Sequence, residues 1–286
     1  MSLIVFSRAP IRKPWAWKRT VFHVAPMMEY TDHHQRQLMK LLSNNAILYT
    51  EMITAQAVVR NHAQADAFRY MGKFDFDPSR TVIQLGGSCP TEMADAAKIA
   101  VEYGYSAINI NAGCPSPRVA AGYFGASLML EPELLLDIVK SIADATGVVP
   151  SVKCRIGVND DFEYSRLCDL IGRLHVGAGV KDFTVHARMA ILNKKFTPAD
   201  NRKIPPLRYD VVHKLVEDFP QLPLVINGGI RSYDEAKTQL GHGLKGVKSL
   251  VVAYLCDLSV IEILPVWCRS HGRPSGSGEP ILLERR

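Results

Sequence analysis

The 286-residue sequence contains no run of 18 or more apolar residues, no CxxC cysteine pair and no acidic residue before Glu29. The first absence argues against a transmembrane helix, which needs about 20 consecutive apolar residues. The wide scatter of the six cysteines argues against a zinc site and a disulfide scaffold, and it favours a reducing compartment. We therefore predict a cytoplasmic protein with no metal site and no membrane partner.

The first 28 residues carry five Lys and Arg residues and no acid. Organelle presequences share this composition, so targeting to an organelle is one interpretation. Residues 1–20 also contain two prolines and two tryptophans and show no amphipathic repeat. These features favour a short, disordered basic extension over residues 1–20, with organelle targeting as the alternative.

Short apolar, β-branched runs alternate with amphipathic stretches along most of the chain. Such a pattern is typical of a parallel sheet that is covered by helices on both faces. Eight units in a chain near the usual barrel length of about 250 residues predict a closed (β/α)8 TIM barrel over residues 21–256. The predicted strands are 21–25, 47–50, 81–85, 107–110, 150–153, 182–185, 223–226 and 247–252, and the predicted helices include 91–103, 133–145, 162–174, 209–219 and 232–240.

In such a barrel the loops that follow the strands carry the active site. Polar or otherwise distinctive residues occur at seven of the eight predicted strand ends, a pattern that a purely structural barrel does not need. In chain order they are Pro26, Met27 and Met28; Glu51; Gln84; Asn109, Asn111 and Cys114; Lys153 and Arg155; His186 and Arg188; and Asn227, Gly228 and Gly229.

The most distinctive motif is NINAGCPS, residues 109–116, which leaves a buried strand and enters a glycine-containing loop. Gly113 permits a tight turn and Pro115 helps to fix the backbone of Cys114. A thiol held in this way can deliver a proton to a reacting carbon as a general acid. A buried, inert cysteine is the alternative, and it is the interpretation we favour for Cys89, Cys154 and Cys168.

Lys153 and His186 end neighbouring predicted strands and can point into one pocket. A cation beside the N1–C2 edge of an isoalloxazine ring stabilises the reduced, anionic flavin, so this pair is a candidate flavin contact. The Asn227-Gly228-Gly229 turn follows the seventh strand, where barrels often bind phosphate through backbone amides. A surface lysine and a structural turn are the respective alternatives.

Residues 187–214 contain seven Lys and Arg residues against two acids and therefore carry a net charge of +5. This concentration of positive charge is a plausible footprint for a polyanion such as RNA. A solvated basic surface is the other interpretation that the charge alone allows.

Taken together, several stretches resemble the tRNA-dihydrouridine synthases, most closely the bacterial-type A subgroup. They run in order from about residue 22 to residue 240, so the resemblance covers most of the chain. The stretches are APMMEYTD (25–32), LYTEM (48–52), QLGGS (84–88), NINAGCPS (109–116), FGA (124–126), VKCRIG (152–157), VHAR (185–188), NRKIPPL (201–207) and INGGI (226–230).

This resemblance implies an FMN-dependent, NADPH-driven reduction of uridine C5=C6 to 5,6-dihydrouridine in the D-loop of tRNA, at a position of the 20/20a type. Hydride passes from flavin N5 to uracil C6, and Cys114 supplies the proton at C5. We expect a monomer whose partners are tRNA and NADPH. The implied FMN contacts are Pro26, Met27, Met28, Gln84, Lys153, His186, Asn227, Gly228 and Gly229, and the implied tRNA contacts are Asn111, Arg188 and Arg202.

Two features depart from the family pattern. Ala199 stands where the family usually has a basic residue that contacts tRNA. After its last strand the family carries a Gly-Arg pair that clasps the FMN phosphate, whereas this chain reads LVVAYLC over residues 250–256. Residues 257–286 do not resemble the family's C-terminal helical tRNA-binding domain, and residues 272–278 are rich in Gly, Ser and Pro. We therefore expect that domain to be missing and the tail to be partly disordered.

These departures leave two alternative functions open. The first is a catalytically impaired, tRNA-binding remnant that holds no flavin. The second is a small-molecule flavin reductase of the dihydroorotate or dihydropyrimidine type, although the basic region and the NRKIPPL stretch argue against it.

Overall fold

The computed structural model describes residues 21–43, 46–63, 81–159, 162–193 and 195–249. The predicted extension 1–20, the predicted tail 257–286 and the atypical stretch 250–256 lie outside the described residues. Eight parallel strands form one sheet. The strands are β1 (Val21–Val24), β2 (Leu48–Thr54), β3 (Thr81–Gly86), β4 (Ile108–Ala112), β5 (Ser151–Arg155), β6 (Phe183–His186), β7 (Leu224–Asn227) and β8 (Gly246–Ser249).

The sheet closes on itself to form a barrel. β1 pairs with β8 along its whole length, and the other strands pair in chain order from β8 back to β2. Between β1 and β2, Val24 N donates to Ile47 O at 2.9 Å and Ile47 N donates to Phe22 O at 2.9 Å. These two bonds, at the residue before β2, bring the ends of the sheet together, so the barrel is nearly closed. The predicted eight-stranded TIM barrel is confirmed, and each predicted strand overlaps an observed one.

Helices follow the strands, and their ends carry recognisable signals. Proline occupies the first turn of three helices, where its missing N–H has no cost. These helices are Pro90–Glu102, Pro117–Ala121 and Pro132–Thr146. Asp32 caps the first helix, and Ser232 with Glu235 forms a capping box at the last. Within the described ranges, no helix is both long and apolar enough to cross a membrane. The helices are α1 (His33–Leu42), α2 (Ala55–Ala63), α3 (Pro90–Glu102), α4 (Pro117–Ala121), α5 (Pro132–Thr146), α6 (Tyr164–Ala178), α7 (Asp200–Lys203), α8 (Tyr209–Asp218) and α9 (Tyr233–Leu240), with a 3-10 helix at Gly125–Leu130.

Side-chain alternation along the strands separates an apolar layer from a polar interior. Ile110, Val152 and Val185 are fully buried in the core between the strands and the surrounding helices. Neighbouring positions in a strand point to the opposite face of the sheet, so residues such as Asn111 and Lys153 point into the barrel. The core therefore holds the barrel together from outside, while the inner positions remain available for chemistry.

The amino-terminal end of the barrel holds a small, largely apolar cavity of about 40 Å³ with a few polar groups in its wall. His23 Nδ1 lies 3.1 Å from the hydroxyl of Tyr49, and Ser151 and Thr184 line the same space. Burial and the charge of Asp182 raise the pKa of Tyr49 well above its ordinary value, so its hydroxyl stays protonated. This cavity lies at the opposite end of the strands from the loops that were expected to hold the active site.

The structure corrects several predicted boundaries. Asn111 lies inside β4, which extends beyond the predicted end at residue 110, because inward-pointing polar side chains do not interrupt the strand's backbone pairing. Glu51 lies within β2, which continues past an irregularity between Tyr49 and Met52. His186 and Asn227 are the last residues of their strands rather than loop residues. Among the helices, α3 starts one residue earlier than predicted and α6 starts two residues later.

Candidate active site

Three amide side chains on β3 and β4 form a connected row inside the barrel. Gln84 Nε2 donates to Asn109 Oδ1 at 2.7 Å, and Asn111 Nδ2 donates to Gln84 Oε1 at 2.9 Å. Asn109 Nδ2 in turn donates to the hydroxyl of Ser151 on β5 at 2.9 Å. Each amide is thereby fixed in orientation, and one N–H of Gln84 remains for a ligand because a primary amide has two. The predicted contact between Gln84 and the flavin ring stays a prediction.

The loop that carries Cys114 is held from two sides. Asn111 Oδ1 accepts hydrogen bonds from Gly113 N at 3.1 Å and from Cys114 N at 2.9 Å. On the other side, Ala126 N donates to Cys114 O at 3.0 Å. Gly125 has a φ of 64°, and a Cβ there would lie 2.5 Å from Cys114 O, so only glycine lets the chain pass so close. The backbone of Cys114 is therefore fixed, while its side chain remains partly exposed.

Lys153 and His186 occupy neighbouring strand ends in a region of positive charge. Burial and the nearby Arg155 lower the pKa of Lys153 to about 8. The pKa of His186 lies well below its ordinary value because the ring is buried and because Arg155, Lys153, Arg188 and Arg202 disfavour a further positive charge. His186 is therefore neutral at pH 7, so that one ring nitrogen donates and the other accepts.

Arg155 connects two loops and the helix α7 at the mouth of the barrel. Its Nε donates to Gly113 O at 3.0 Å, and its Nη1 donates to Met189 O at 2.8 Å and to Asn201 O at 3.0 Å. Burial lowers its pKa to about 10, so the guanidinium stays charged at neutral pH. Sequence reasoning placed Arg155 at a strand end without a role. Its position two residues after Lys153 was the only available signal, since positions two apart share a strand face.

The glycine turn after β7 packs directly against the histidine. Gly228 has a φ of 113°, and a Cβ there would lie 2.6 Å from His186 Cδ2. Tyr209 OH donates to Gly228 O at 2.7 Å and fixes the turn from the other side. The carboxylate of Glu235 accepts from the backbone N–H groups of Arg231 and Ser232, so the start of α9 is already capped by the protein. Because Glu235 occupies the N–H groups at the start of α9, the predicted phosphate contacts stay with the backbone of Gly228 and Gly229.

The loop after β1 holds the three residues that were expected to line a flavin. Pro26 and Met27 are half-buried, whereas 57% of the Met28 side chain is exposed. Thr31 fixes the loop, because its hydroxyl accepts from Met27 N at 3.0 Å and donates to Met27 O at 3.1 Å. Glu29 N donates to Glu51 Oε1 at 2.5 Å, which ties this loop to β2. The loop is ordered by internal bonds, and its flavin contacts stay a prediction.

The two arginines expected to contact tRNA differ in their surroundings. The Nη1 group of Arg188 donates to the backbone oxygen of Pro205, and its Nε has no hydrogen-bond partner among the described residues. Arg202 is exposed on α7. Next to it, Asn201 is fully buried and exchanges hydrogen bonds with the backbone of Ile191, which anchors α7 to the loop after β6. Arg188 thus braces this loop, while Arg202 faces solvent.

The basic region 187–214 is less uniform than its composition suggests. Arg208 is paired with Asp210 at 2.8 Å, and Lys214 lies on α8 with its Nζ 4.4 Å from the centre of the Tyr164 ring. Three described cations in this region are exposed and carry no salt bridge to a described acid: Lys195, Arg202 and Lys203. The part of the region available to a polyanion is therefore centred on α7.

The residues present fit a flavin nucleotide. Lys153 is half-buried, and neither its Nζ nor the ring nitrogens of His186 form a hydrogen bond with another described residue. Lys153, Arg155 and Arg188 form no salt bridge with a described acid. A lysine without a partner in a region of positive charge favours an anionic ligand, and glycine backbone beside it suits a phosphate. Within the described ranges, no group of His, Cys, Asp and Glu is placed to hold a metal ion.

Comparison with known proteins gives a consistent result. A sequence model of the family described as dihydrouridine synthase (Dus) matches residues 23–253. The tRNA-dihydrouridine(20/20a) synthase of Pseudomonas syringae pv. tomato is 47% identical over 219 residues, which cover 77% of this chain and 63% of that protein. The enzyme of the same name from Escherichia coli K12 is 44% identical over 221 residues, covering 77% and 62% respectively.

A solved structure of a 2-naphthoyl-CoA reductase complex has the same barrel fold, with a TM-score of 0.55 at 8% identity over 85% of this chain and 51% of that one. At such low identity the likeness concerns the fold alone. The chain spans less than two thirds of the length of the two relatives described above. Because the family match extends across nearly the whole barrel and the identity to these relatives exceeds 40%, the chain belongs to the dihydrouridine synthase family.

Proposed function

We propose that this chain is an FMN-dependent tRNA-dihydrouridine synthase that reduces the C5=C6 bond of a D-loop uridine of the 20/20a type, with NADPH as the reductant. The observation that carries the proposal is the group of Lys153, Arg155 and Arg188, none of which forms a salt bridge with a described acid, beside the fixed loop of Cys114. Family membership supports the same chemistry.

Lys153, His186 and the turn at Gly228 would hold the cofactor. The Lys153 ammonium would pair with the anionic edge of a flavin ring, and the neutral His186 ring would donate or accept one hydrogen bond. FMN, when bound and reduced, supplies the hydride equivalent for uracil C6. The turn at Gly228 and Gly229 offers backbone amides to the phosphate without a side chain in the way.

Cys114 is the proposed proton donor to C5. General acids of this kind contribute roughly 10²- to 10⁴-fold to the rate. Asn111 fixes the loop of the thiol by accepting hydrogen bonds from the backbone N–H groups of Gly113 and Cys114. Arg155 fixes the same loop by donating a hydrogen bond to Gly113 O. Asn111 on β4 is paired in register with Lys153 on β5, so the anchor of the Cys114 loop and the lysine lie beside each other. The thiol and the cation would thus act at the same end of the barrel from different strands.

The uridine must leave its stack in tRNA to reach a pocket at the end of the barrel strands, which costs a few kcal/mol of unstacking. Exposed cations on α7, Arg202 and Lys203, can bind the RNA backbone beside the pocket and offset that cost. Asn111 is already bonded to Gln84 and to the Cys114 loop, so its proposed contact with the RNA would add to those bonds. The tRNA contacts of Asn111, Arg188 and Arg202 form part of the proposal.

The test uses the purified full chain and a bacterial strain that lacks its own dihydrouridine synthases. The protein should show flavin absorbance, and its expression should restore dihydrouridine to the strain's tRNA. Cys114→Ala should keep the flavin spectrum and lose roughly 10²- to 10⁴-fold in kcat. Cys168→Ala, on α6 in the outer layer, is the matched control and should behave like the wild type.

Three outcomes separate the competing functions. Colourless protein that binds tRNA and restores no dihydrouridine would identify the impaired tRNA-binding remnant. Yellow protein that reduces free pyrimidines but not tRNA would identify the small-molecule reductase. Full activity of Cys114→Ala would remove the proposed role of that thiol. The cytoplasmic location and the monomeric state stay predictions, which fractionation and sedimentation would test.

A further inference from the structure

Tyr123 stands out on the loop that carries the proposed proton donor. Its side chain is 76% exposed, and its backbone has a φ of 55°, a left-handed conformation that bulky residues rarely adopt. The residue lies two positions before Gly125, whose backbone touches Cys114 O. A large aromatic ring is therefore held in an unfavourable backbone conformation and turned towards solvent, beside the proposed catalytic loop.

The unusual backbone at Tyr123 separates two successive aromatic side chains. The next residue, Phe124, is half-buried and packs over the end of β3, where a Cβ at Gly86 would lie 3.0 Å from both Phe124 Cε2 and Met52 Sδ. Ser88 Oγ also holds the turn by donating to Gly122 O at 2.9 Å. Core packing therefore explains Phe124. Tyr123, with most of its surface in solvent, contributes little packing that would justify its conformation.

The surroundings of Tyr123 suit a polyanion. No acidic residue occurs between Glu102 and Glu131, and this stretch includes the exposed Arg118 on α4. Arg155 bonds both to Gly113 in this loop and to Asn201 in α7, so the exposed cations of α7 belong to the same mouth. An exposed aromatic ring at a mouth that also carries exposed cations is a combination with which proteins stack unpaired nucleobases and bind the adjoining phosphates.

We propose that Tyr123 is a stacking platform for a nucleobase of the tRNA that flanks the uridine turned into the pocket. This inference rests on the proposed function, because it takes the RNA to be the substrate. The ring would hold the neighbouring base at the rim once the reacting base has left the helical stack. A strained backbone is commonly retained at residues that the activity requires. A stacking role would therefore explain why a tyrosine stands at a position where glycine is favoured.

The test compares tRNA binding by the wild type, Tyr123→Gly, Tyr123→Asn and Tyr123→Phe in the full chain, together with their thermal unfolding. Glycine relieves the backbone strain, and asparagine tolerates this conformation while limiting the added flexibility. Both should fold at least as stably as the wild type yet bind tRNA roughly 5- to 150-fold more weakly, the loss expected for one stacked base. Phenylalanine keeps the ring and should bind tRNA like the wild type.

Val176→Ala is the matched control, since Val176 is an apolar side chain 85% exposed on α6 in the outer layer, and it should leave tRNA binding unchanged. Wild-type affinity in the Gly and Asn variants, or reduced stability in both, would overturn the inference. The same holds for a wild-type chain that does not bind tRNA. A wild-type chain that binds tRNA but holds no flavin would count against the proposed enzyme alone, because the binding comparison still decides the role of Tyr123.

Discussion

The guanidinium of Arg155 donates its Nε–H to the carbonyl oxygen of Gly113 at 3.0 Å, and thereby joins β5 to the residue that precedes the proposed proton donor. The same side chain reaches Met189 O and Asn201 O. One buried cation thus fixes the Cys114 loop relative to α7, where the exposed cations lie. The catalytic and the RNA-facing parts of the mouth are in this way tied to a single side chain.

Replacing Arg155 by lysine should reduce both stability and turnover. An ammonium cannot span three carbonyl groups as a planar guanidinium does, and each lost charged hydrogen bond costs about 1.5–3 kcal/mol. Thermal unfolding should shift downward, and kcat should fall more than KM for tRNA rises. Arg173→Lys is the control, because Arg173 forms exposed salt bridges on α6, which contribute little. Equal effects of the two substitutions would contradict the proposed role of Arg155.

Flavin affinity should depend on the protonation of Lys153. Its pKa in the ligand-free protein is about 8, lowered by burial and by Arg155, with the neighbouring thiols of Cys154 and Cys114 acting in the opposite direction. An anionic ligand favours the protonated lysine and raises this pKa. Affinity should therefore be constant below about pH 8 and fall by up to about tenfold per pH unit as the pH rises above it.

Fluorescence titration of FMN between pH 7 and pH 9.5 measures this dependence. Lys153→Gln should bind FMN weakly and with a flat profile over the same range. Lys98→Gln should keep the wild-type profile, since Lys98 is an exposed residue of α3 paired with Asp95. A wild-type affinity that does not change across pH 8 would show that Lys153 does not contact the anionic part of the cofactor.

Gly228→Ala should weaken flavin binding through the histidine. A methyl group at this position would lie 2.6 Å from His186 Cδ2, so the ring would have to move. We expect at least tenfold weaker FMN binding and a lower melting temperature. Gly147→Ala, at a similarly left-handed position with no atom within 4 Å of the new methyl group, should cost about 1 kcal/mol of stability and leave FMN affinity unchanged. If both variants lose affinity alike, global destabilisation rather than contact with His186 is responsible.

The cysteines should differ in their reaction with an alkylating reagent. Burial raises the pKa of Cys154 to about 12, so this thiol should stay unmodified in the folded protein. The prediction that Cys89 is buried and inert is wrong: it precedes the first turn of α3 on the surface, and hydrogen bonds, chiefly with Thr91, lower its pKa, so it should react readily. Cys114 should react in the free protein and be protected by bound FMN, whereas Cys89 should not be protected. Mass spectrometry of the labelled peptides gives the readout.

Removing one exposed cation from α7 should change the salt dependence of tRNA binding more than its specificity. Each phosphate contact contributes about 0.7 to 0.9 to the slope of log K against log salt. Arg202→Gln should therefore lower this slope by nearly one. Arg166→Gln, on the outer face of α6, should leave the slope unchanged. An unchanged slope for Arg202→Gln would exclude this arginine from the RNA interface.

The sequence predicted the barrel, and it indicated a candidate site at one end of it, for a clear physical reason. Buried parallel strands appear as short apolar runs, and the carboxyl ends of such strands share one face, so residues such as Lys153 and His186 could be assigned to one mouth before any coordinates. The role of Arg155 was not accessible in the same way. Its partners are backbone carbonyl groups of chain segments that meet only in the folded chain, and sequence pattern carries no information about such contacts. Asn111, in contrast, bonds the backbone two and three residues further on, a local turn typical of asparagine.

The short segment around Glu51 shows a related difficulty. Its polar side chain suggested that the strand had ended, yet the strand continues to Thr54 because the irregularity after Tyr49 shifts the pairing with β3. Tyr123 gave no signal at all, since an exposed tyrosine in a loop is unremarkable until its backbone conformation is known. Local pattern thus predicts elements well, whereas shifts in pairing and strained turns depend on the whole fold.

The position of β1, between β8 on one side and the chain before β2 on the other, has a consequence for folding during synthesis. Hydrogen bonds on one side of β1 come from the strand synthesised next, but those on the other side come from Gly246 to Ser249, more than 200 residues later. During translation the nascent barrel therefore exposes two open edges until β8 leaves the ribosome, and open edges invite pairing with other chains. Expression at low temperature or with chaperones should accordingly raise the yield of soluble protein.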